Sequence, residues 1–197
     1  MHRIHEAKYG SNEFNGSGRG NARFSPLANP DGTVIPTLYG AGTFRASAME
    51  TIFHDLPEDI SSFLFPYKKL QIMAHSLVLP ARDLVLLDLG SVSLRALRLK
   101  KTDVIETSAA MYWQTREFAH SWHSQFSEID GLYWMSRQDD HSPACMLFGD
   151  RVAPDDLTVA VPGESLLTSP HLEEIVALAG ILGINQGRNF PSKLVGF

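Results

Sequence analysis

Cysteine is almost absent from this chain, with Cys145 standing alone among 197 residues. An internal disulfide and a thiolate metal cluster are thereby excluded, and the composition suits a reducing, cytoplasmic compartment. A basic stripe is also missing. Lysines and arginines number 17 against 22 aspartates and glutamates, a net charge of −5, and no window gathers the cations into a track for a phosphate backbone. Direct nucleic-acid binding is not expected. Long hydrophobic runs are lacking as well: the longest, Ile175–Ile184, falls far short of a bilayer span, and the start Met1–Gly10 is polar with charges of both signs. Neither membrane insertion nor secretion is expected. The remainder, 44% hydrophobic and 20% charged residues, is ordinary for a globular protein. Burial of roughly 70% of the unfolded surface at this length supports one substantial core, so a single domain over residues 1–197 is expected.

Several common catalytic signatures are absent too. The run Gly16-Ser17-Gly18-Arg19-Gly20 has neither the Walker spacing nor the dinucleotide fingerprint, and no hydrophobic strand precedes it. No serine has the Gly-x-Ser-x-Gly flanks of a nucleophile elbow. His120 and His123 lie one helical turn apart, but without a zincin pattern or a cysteine partner no metal site is expected, and both are placed on the solvent side of their helix. Cys145, inside an apolar strand, reads as a small packed residue.

Element signals follow the chain. Residues Gly10–Pro36, rich in Gly, Asn, Ser and Pro, form a long irregular segment. Val34–Tyr39 is a short strand entered through a proline, ending at Gly40-Ala41-Gly42. Thr43 then caps a helix to about His54, burying Phe44, Ala48, Met49 and Ile52. Glu50 lies off that stripe, near the small Ala46 and Ser47 and one turn before His54, which leaves space over its carboxylate. Leu84–Leu89 reads as a strand buried on both faces, with Asp88 its one charge. Ser108–Phe126 is a longer helix. A strand from Gly131 follows, with Leu132, Trp134 and Ser136 on one face; a polar turn, Gln138–Pro143, leads to an antiparallel return through Ala144–Phe148. Leu157–Val161 is a further strand, and Ser169-Pro170 opens a last helix stopping near Gly180 or Gly183. The predicted class is α+β: a mixed or antiparallel sheet flanked by helices.

Three features stand out: Arg23-Phe24 closing the glycine segment, Leu38-Tyr39-Gly40-Ala41 leading to Glu50, and Tyr133-Trp134-Met135-Ser136-Arg137. Taken singly, each has an ordinary structural explanation. Taken together, in order and spacing, they resemble the RES domain, named for an Arg, a Glu and a Ser. The matching pieces are Arg23-Phe24-Ser25-Pro26, Thr37–Ala41 with Ala48-Met49-Glu50, Trp113–Ala119, Asp130–Tyr133 ahead of Ser136-Arg137, and Met146-Leu147-Phe148, spanning about residues 12–152. Residues 153–197 are expected to complete the domain with a strand and a helix.

The resemblance implies an ADP-ribosyltransferase-like fold and the toxin of a type II toxin–antitoxin pair that consumes NAD. Members cleave the nicotinamide–ribose bond by phosphorolysis or hydrolysis, or transfer ADP-ribose to a protein. In that chemistry the ribose carbon becomes cation-like, so a carboxylate beside it stabilises charge and accepts from a ribose hydroxyl; Glu50 is the candidate. Arg23 is the first choice for the phosphate anchor and Arg45 the second, Tyr39 offers a ring for stacking with its hydroxyl free, and Ser136 orients the nicotinamide ribose or amide. Arg137 points away and pairs with Asp139 or Asp140. NAD is then a substrate, inorganic phosphate a co-substrate if the reaction is phosphorolysis, and no cofactor or metal is required. The expected partner is an Xre-type antitoxin in a hetero-oligomer. The rival from another class is a non-catalytic partner-binding module of the same fold.

Overall fold

The computed structural model describes residues 1–57 and 59–184. In chain order the strands are β1 (His2–Glu6), β2 (Leu27–Ala28), β3 (Val34–Ile35), β4 (Thr37–Ala41), β5 (Met73–Pro80), β6 (Leu86–Asp88), β7 (Gly131–Met135), β8 (Pro143–Phe148) and β9 (Leu157–Ser165). The helices are α1 (Phe44–Thr51), α2 (Tyr67–Leu70), α3 (Ser91–Ala96), α4 (Lys101–Val104), α5 (Tyr112–Gln125) and α6 (His171–Ile181). A seven-stranded sheet runs in the order β6-β7-β8-β4-β1-β5-β9, and β2-β3 forms a small separate ribbon. Only β6 and β7 are parallel within the large sheet. This is the α+β arrangement of a mixed sheet with flanking helices that the residue patterns predict.

Paired residues project to one face and alternate along each strand, so register decides which side chains meet. Tyr39 opposes Met146, Trp134 opposes Ala144, Ala41 opposes His2, and Ile4 opposes His75. These eight therefore share a face, covered by α1, α5 and α6 through two apolar clusters, one around Phe53, Leu70 and Ile175, the other around Phe24, Leu132 and Met146. Leu38, Leu147 and Val78 pack on the opposite face. Gly131 is where β7 presses closest on β8: a Cβ there would lie 2.1 Å from the Met146 carbonyl oxygen, so no other residue fits this crossing.

Several expectations need correction. Pro36 splits the predicted Val34–Tyr39 strand into β3 and β4, since proline offers no N–H to a ladder. The Leu84–Leu89 run supplies only β6, a half-buried edge strand, because its aliphatic side chains are shared between two clusters instead of sealed beneath helices on both sides. The polar start is β1, an interior strand between β4 and β5. The first helix ends at Thr51 rather than His54, and the last begins at His171, with no side-chain cap from Ser169. That last helix closes where expected: Gly183, at φ +72, takes the left-handed turn that glycine tolerates, and Ile184 N–H reaches back to the Ala179 carbonyl. The rest of the predicted C-terminal segment, beyond residue 184, lies outside the described residues. No helix among the described residues is long and apolar enough to cross a membrane.

Candidate functional site

The site is built on α1. Thr43 starts the helix by accepting the Ala46 N–H on Oγ1 at 3.1 Å. The predicted stripe of Phe44, Ala48, Met49 and Ile52 is buried, and that burial turns Glu50 off the core. Facing it, just past the end of β7, Ser136 is fully buried and donates from Oγ to Glu50 Oε1 at 2.6 Å. The Gln138 and Asp139 N–H groups donate to the same Ser136 oxygen at 3.3 and 3.2 Å. A hydroxyl has one proton and two lone pairs, so with both pairs taken by the turn its proton has one destination, the carboxylate. Ser136 thus fixes where Glu50 points.

Arg23 reaches the same place from the irregular segment. Thr115 of α5 donates its hydroxyl to the Arg23 carbonyl. The guanidinium lies 5.1 Å from the centre of the Tyr112 ring. From Nη1 it donates to Thr107 Oγ1 at 2.6 Å and to the Thr107 and Val104 carbonyls at 3.3 Å each. Burial lowers the Arg23 pKa, while Tyr112 and then Glu50 raise it, so the cation and the Glu50 carboxylate support each other electrostatically.

A cavity of about 300 Å³ opens between these groups, lined among others by Arg23, Tyr39, Ser47, Glu50, His54 and Trp134. Tyr39 and Trp134 rise from the sheet face as its floor, their rings edge-to-face at 6.4 Å. The Tyr39 hydroxyl is not free, as expected from sequence, but engaged: it accepts the Phe24 N–H at 3.3 Å and donates to Ser25 Oγ at 3.2 Å. Burial pushes its pKa up to about 12, which keeps it a neutral donor. The ring is thus a fixed surface that ties the Arg23 segment to β4.

Arg23, Tyr39 and Glu50 therefore line one cavity, and Ser136 stands behind Glu50. Arg45 does not join them: its Nε pairs with Asp139 Oδ1 at 2.6 Å, and Asp139 is buried. With Asp139 taken, Arg137 does not pair there as predicted; its Nη1 donates to the Thr107 carbonyl at 2.7 Å, the same oxygen that Arg23 uses. Two guanidiniums thus meet at one carbonyl. His123 also departs from expectation, since it is buried, edge-on to Phe148 and 2.9 Å from Asp150 Oδ2.

Pattern reading did not assign roles to His54 or Tyr112. His54 Nε2 lies 3.2 Å from the Tyr112 hydroxyl and Nδ1 lies 2.8 Å from Asp55 Oδ1, a line of titratable groups beside the cavity. The helical spacing from Glu50 to His54 was the available signal. Asp130, at the head of the β7 piece, is structural: Arg82 grips both its oxygens at 2.9 and 2.8 Å, and Val85 N–H adds a third bond.

Residues 1–172 match the family model of the RES domain. No curated protein matches the sequence. Among solved structures, a chain in the crystal structure of the M. tuberculosis MbcT–MbcA toxin–antitoxin complex aligns with a TM-score of 0.64 at 16% identity, covering 89% of this chain and 87% of that one. At that identity the likeness is one of fold.

Proposed function

The chain belongs to the RES domain family, and from that premise we propose that it is the toxin of a type II toxin–antitoxin pair and cleaves NAD between nicotinamide and ribose. One observation carries the reading: the Ser136–Glu50 hydrogen bond at 2.6 Å holds a carboxylate at a cavity that Arg23 also lines. Nicotinamide leaves as a neutral molecule, taking the electron pair of the breaking C–N bond, and needs little acid help. The ribose carbon it leaves behind is electron-poor. A carboxylate already aimed at that carbon stabilises it without reorganising, and it accepts from a ribose hydroxyl.

Ligand pockets commonly span about 300–1,000 Å³, so a cavity near 300 Å³ suits the nicotinamide–ribose end of the dinucleotide. The phosphates then pass Arg23, whose planar donors suit them. Tyr39 and Trp134 offer rings to the base. Ser136 acts as a positioning residue, since its proton is committed to Glu50. Phosphorolysis would need a further cationic group for inorganic phosphate beside the ribose carbon, whereas hydrolysis needs only an admitted water; Arg137, which donates to the same Thr107 carbonyl as Arg23, is the nearby guanidinium to test for that role. As in the solved toxin–antitoxin complex, a protein antitoxin is the expected partner, here one of Xre type that closes the Glu50 cavity.

Purified protein is expected to consume NAD and release nicotinamide. Glu50→Gln keeps an oxygen for Ser136 to bond and removes the charge, so it should lose about 10²–10³ in rate with the fold intact. A variant as active as the parent would refute the role given to Glu50. No turnover by the parent, with or without phosphate, would replace the enzyme with the non-catalytic binding module. Product mass with and without phosphate separates phosphorolysis from hydrolysis, and a mass gain on a co-incubated protein would instead mark ADP-ribosyl transfer.

A further inference from the structure

On the same sheet face as the cavity, β1 and β5 bring imidazoles together where most strands place aliphatics. His2 stacks on His75 with ring centres 5.2 Å apart, and His75 lies 4.7 Å from the ring of His171 at the start of α6. Glu164 opposes His75 directly across the β5–β9 ladder, so both project to this face. Its Oε2 is 3.7 Å from His171 Nε2. Phe44, the first residue of α1, packs on both rings at 5.0 Å.

Two buried atoms lack what burial normally demands. His75 and His171 are 5% and 7% exposed, and the Nδ1 of each finds no hydrogen-bond partner among the described residues. A buried polar nitrogen left without a partner is costly, so such atoms call for a partner that water or an ion can supply. One ligand atom from each of His75, Glu164 and His171 can be chosen so that all lie within 4.8 Å of one another.

We propose that His75, Glu164 and His171 form a binding site for a divalent transition-metal ion, with zinc the first choice. Two imidazoles and one carboxylate are the donor set of zinc and its neighbours rather than of calcium or magnesium, which take oxygen. At bond lengths of about 2.1 Å, ligand atoms around such an ion stand about 3.4 Å apart, so the three groups close on it by moving on the order of 1 Å. Glu164, with half its side chain exposed, is the arm free to move and the side from which an ion enters. His2 supplies outer support: its Nδ1 lies 3.0 Å from His75 Nε2, so a proton on Nε2 leaves the unpaired Nδ1 of His75 with a lone pair for the metal. The ion would tie β5, β9 and α6 together beneath the first turn of α1.

The test titrates the chelator-treated full chain with Co²⁺ near neutral pH, reading visible absorption, and then displaces cobalt with Zn²⁺. One equivalent should bind, and the thermal midpoint should rise with metal. Glu164→Gln, at an exposed side chain, should fold as the parent does and bind at least about tenfold more weakly, and His171→Gln weaker still. His120→Gln, an imidazole outside the cluster, should bind as the parent does. No uptake by the parent overturns the proposal, and so does undiminished binding by Glu164→Gln, which folds whether or not loss of an imidazole is tolerated. These readouts are independent of NAD turnover, so the proposed activity and the metal site stand or fall separately.

Discussion

The two ends of α1 meet the same sheet in opposite ways. At its last turn, Ser136 donates to Glu50 and accepts from the 138–139 turn, and the charge of Arg23 lies near enough to Glu50 to feel it. At its first residue, Phe44 covers His75 and His171, each with a buried nitrogen that bonds nothing described. The first arrangement is finished: its polar groups hold each other in fixed directions, so an electron-poor atom entering the cavity finds the carboxylate already oriented. The second is unfinished, because it carries the cost of desolvated donors or acceptors without a compensating bond. One face of one sheet thus carries the proposed catalytic site, where Ser136 orients Glu50, and the proposed metal site, where two buried nitrogens lack a partner among the described residues.

If that contrast is sound, cutting the core beneath each end should give different outcomes. Phe24 is fully buried, with its ring centre 5.1 Å from that of Trp134, and its N–H anchors Tyr39. Phe24→Ala should cost about 3–5 kcal/mol, lowering the melting point on the order of 10 °C at this size. It should also reduce NAD turnover per folded molecule, because Arg23 is its chain neighbour. Ile175 in α6 is equally buried but packs on the histidine side, so Ile175→Ala should cost about 2–5 kcal/mol and leave turnover per folded molecule unchanged. Melting curves paired with NAD assays on the folded fraction check both, and equal losses of turnover would dissolve the contrast.

A smaller change addresses the finished end alone. Ser136→Ala removes the donor to Glu50 and leaves two turn N–H groups short of an acceptor. A hydrogen bond to a charged group is worth about 1.5–3 kcal/mol, so kcat should fall about tenfold to a hundredfold. Since the cavity lining itself is kept, KM should move little. A KM effect with kcat intact would mean that Ser136 meets substrate directly and does not orient Glu50.

Much of the finished end was legible in the sequence, because its devices are local. Thr43 followed by an apolar stripe sets the helix that presents Glu50, and the alternation of Leu132, Trp134 and Ser136 sets which way Ser136 points. The partners of the arginines were not legible. Arg45, Arg137 and Asp139 differ in pairing by which carbonyl or carboxylate the turn brings within reach, and Thr107, the acceptor that Arg23 and Arg137 share, lies far off in sequence. The histidine end was hidden for a second reason. β1 and β5 are interior strands carrying imidazoles, a serine and an arginine, so apolar alternation fails where the sheet is most enclosed, and only register unites His2, His75 and Glu164. α2, α3 and α4, at four to six residues each, are too short to show a helical period.

The smallest effect tests whether the two ends act through the helix that joins them. Thr43 caps α1 with one hydroxyl that accepts from Ala46 N–H and donates to Ser142 Oγ at 3.2 Å. Thr43→Ala should cost about 1 kcal/mol, the usual worth of an N-cap, and Thr43→Ser should restore most of it. The cap lies beside Phe44 and some two turns from Glu50, so fraying there should loosen the histidine end first. Cobalt affinity should therefore fall by a larger factor than NAD turnover, because Glu50 is held at its own end by Ser136 and needs little from the first turn. The opposite order, turnover lost with metal binding intact, would show that the cavity depends on the whole helix, and the two ends would then be one cooperative unit.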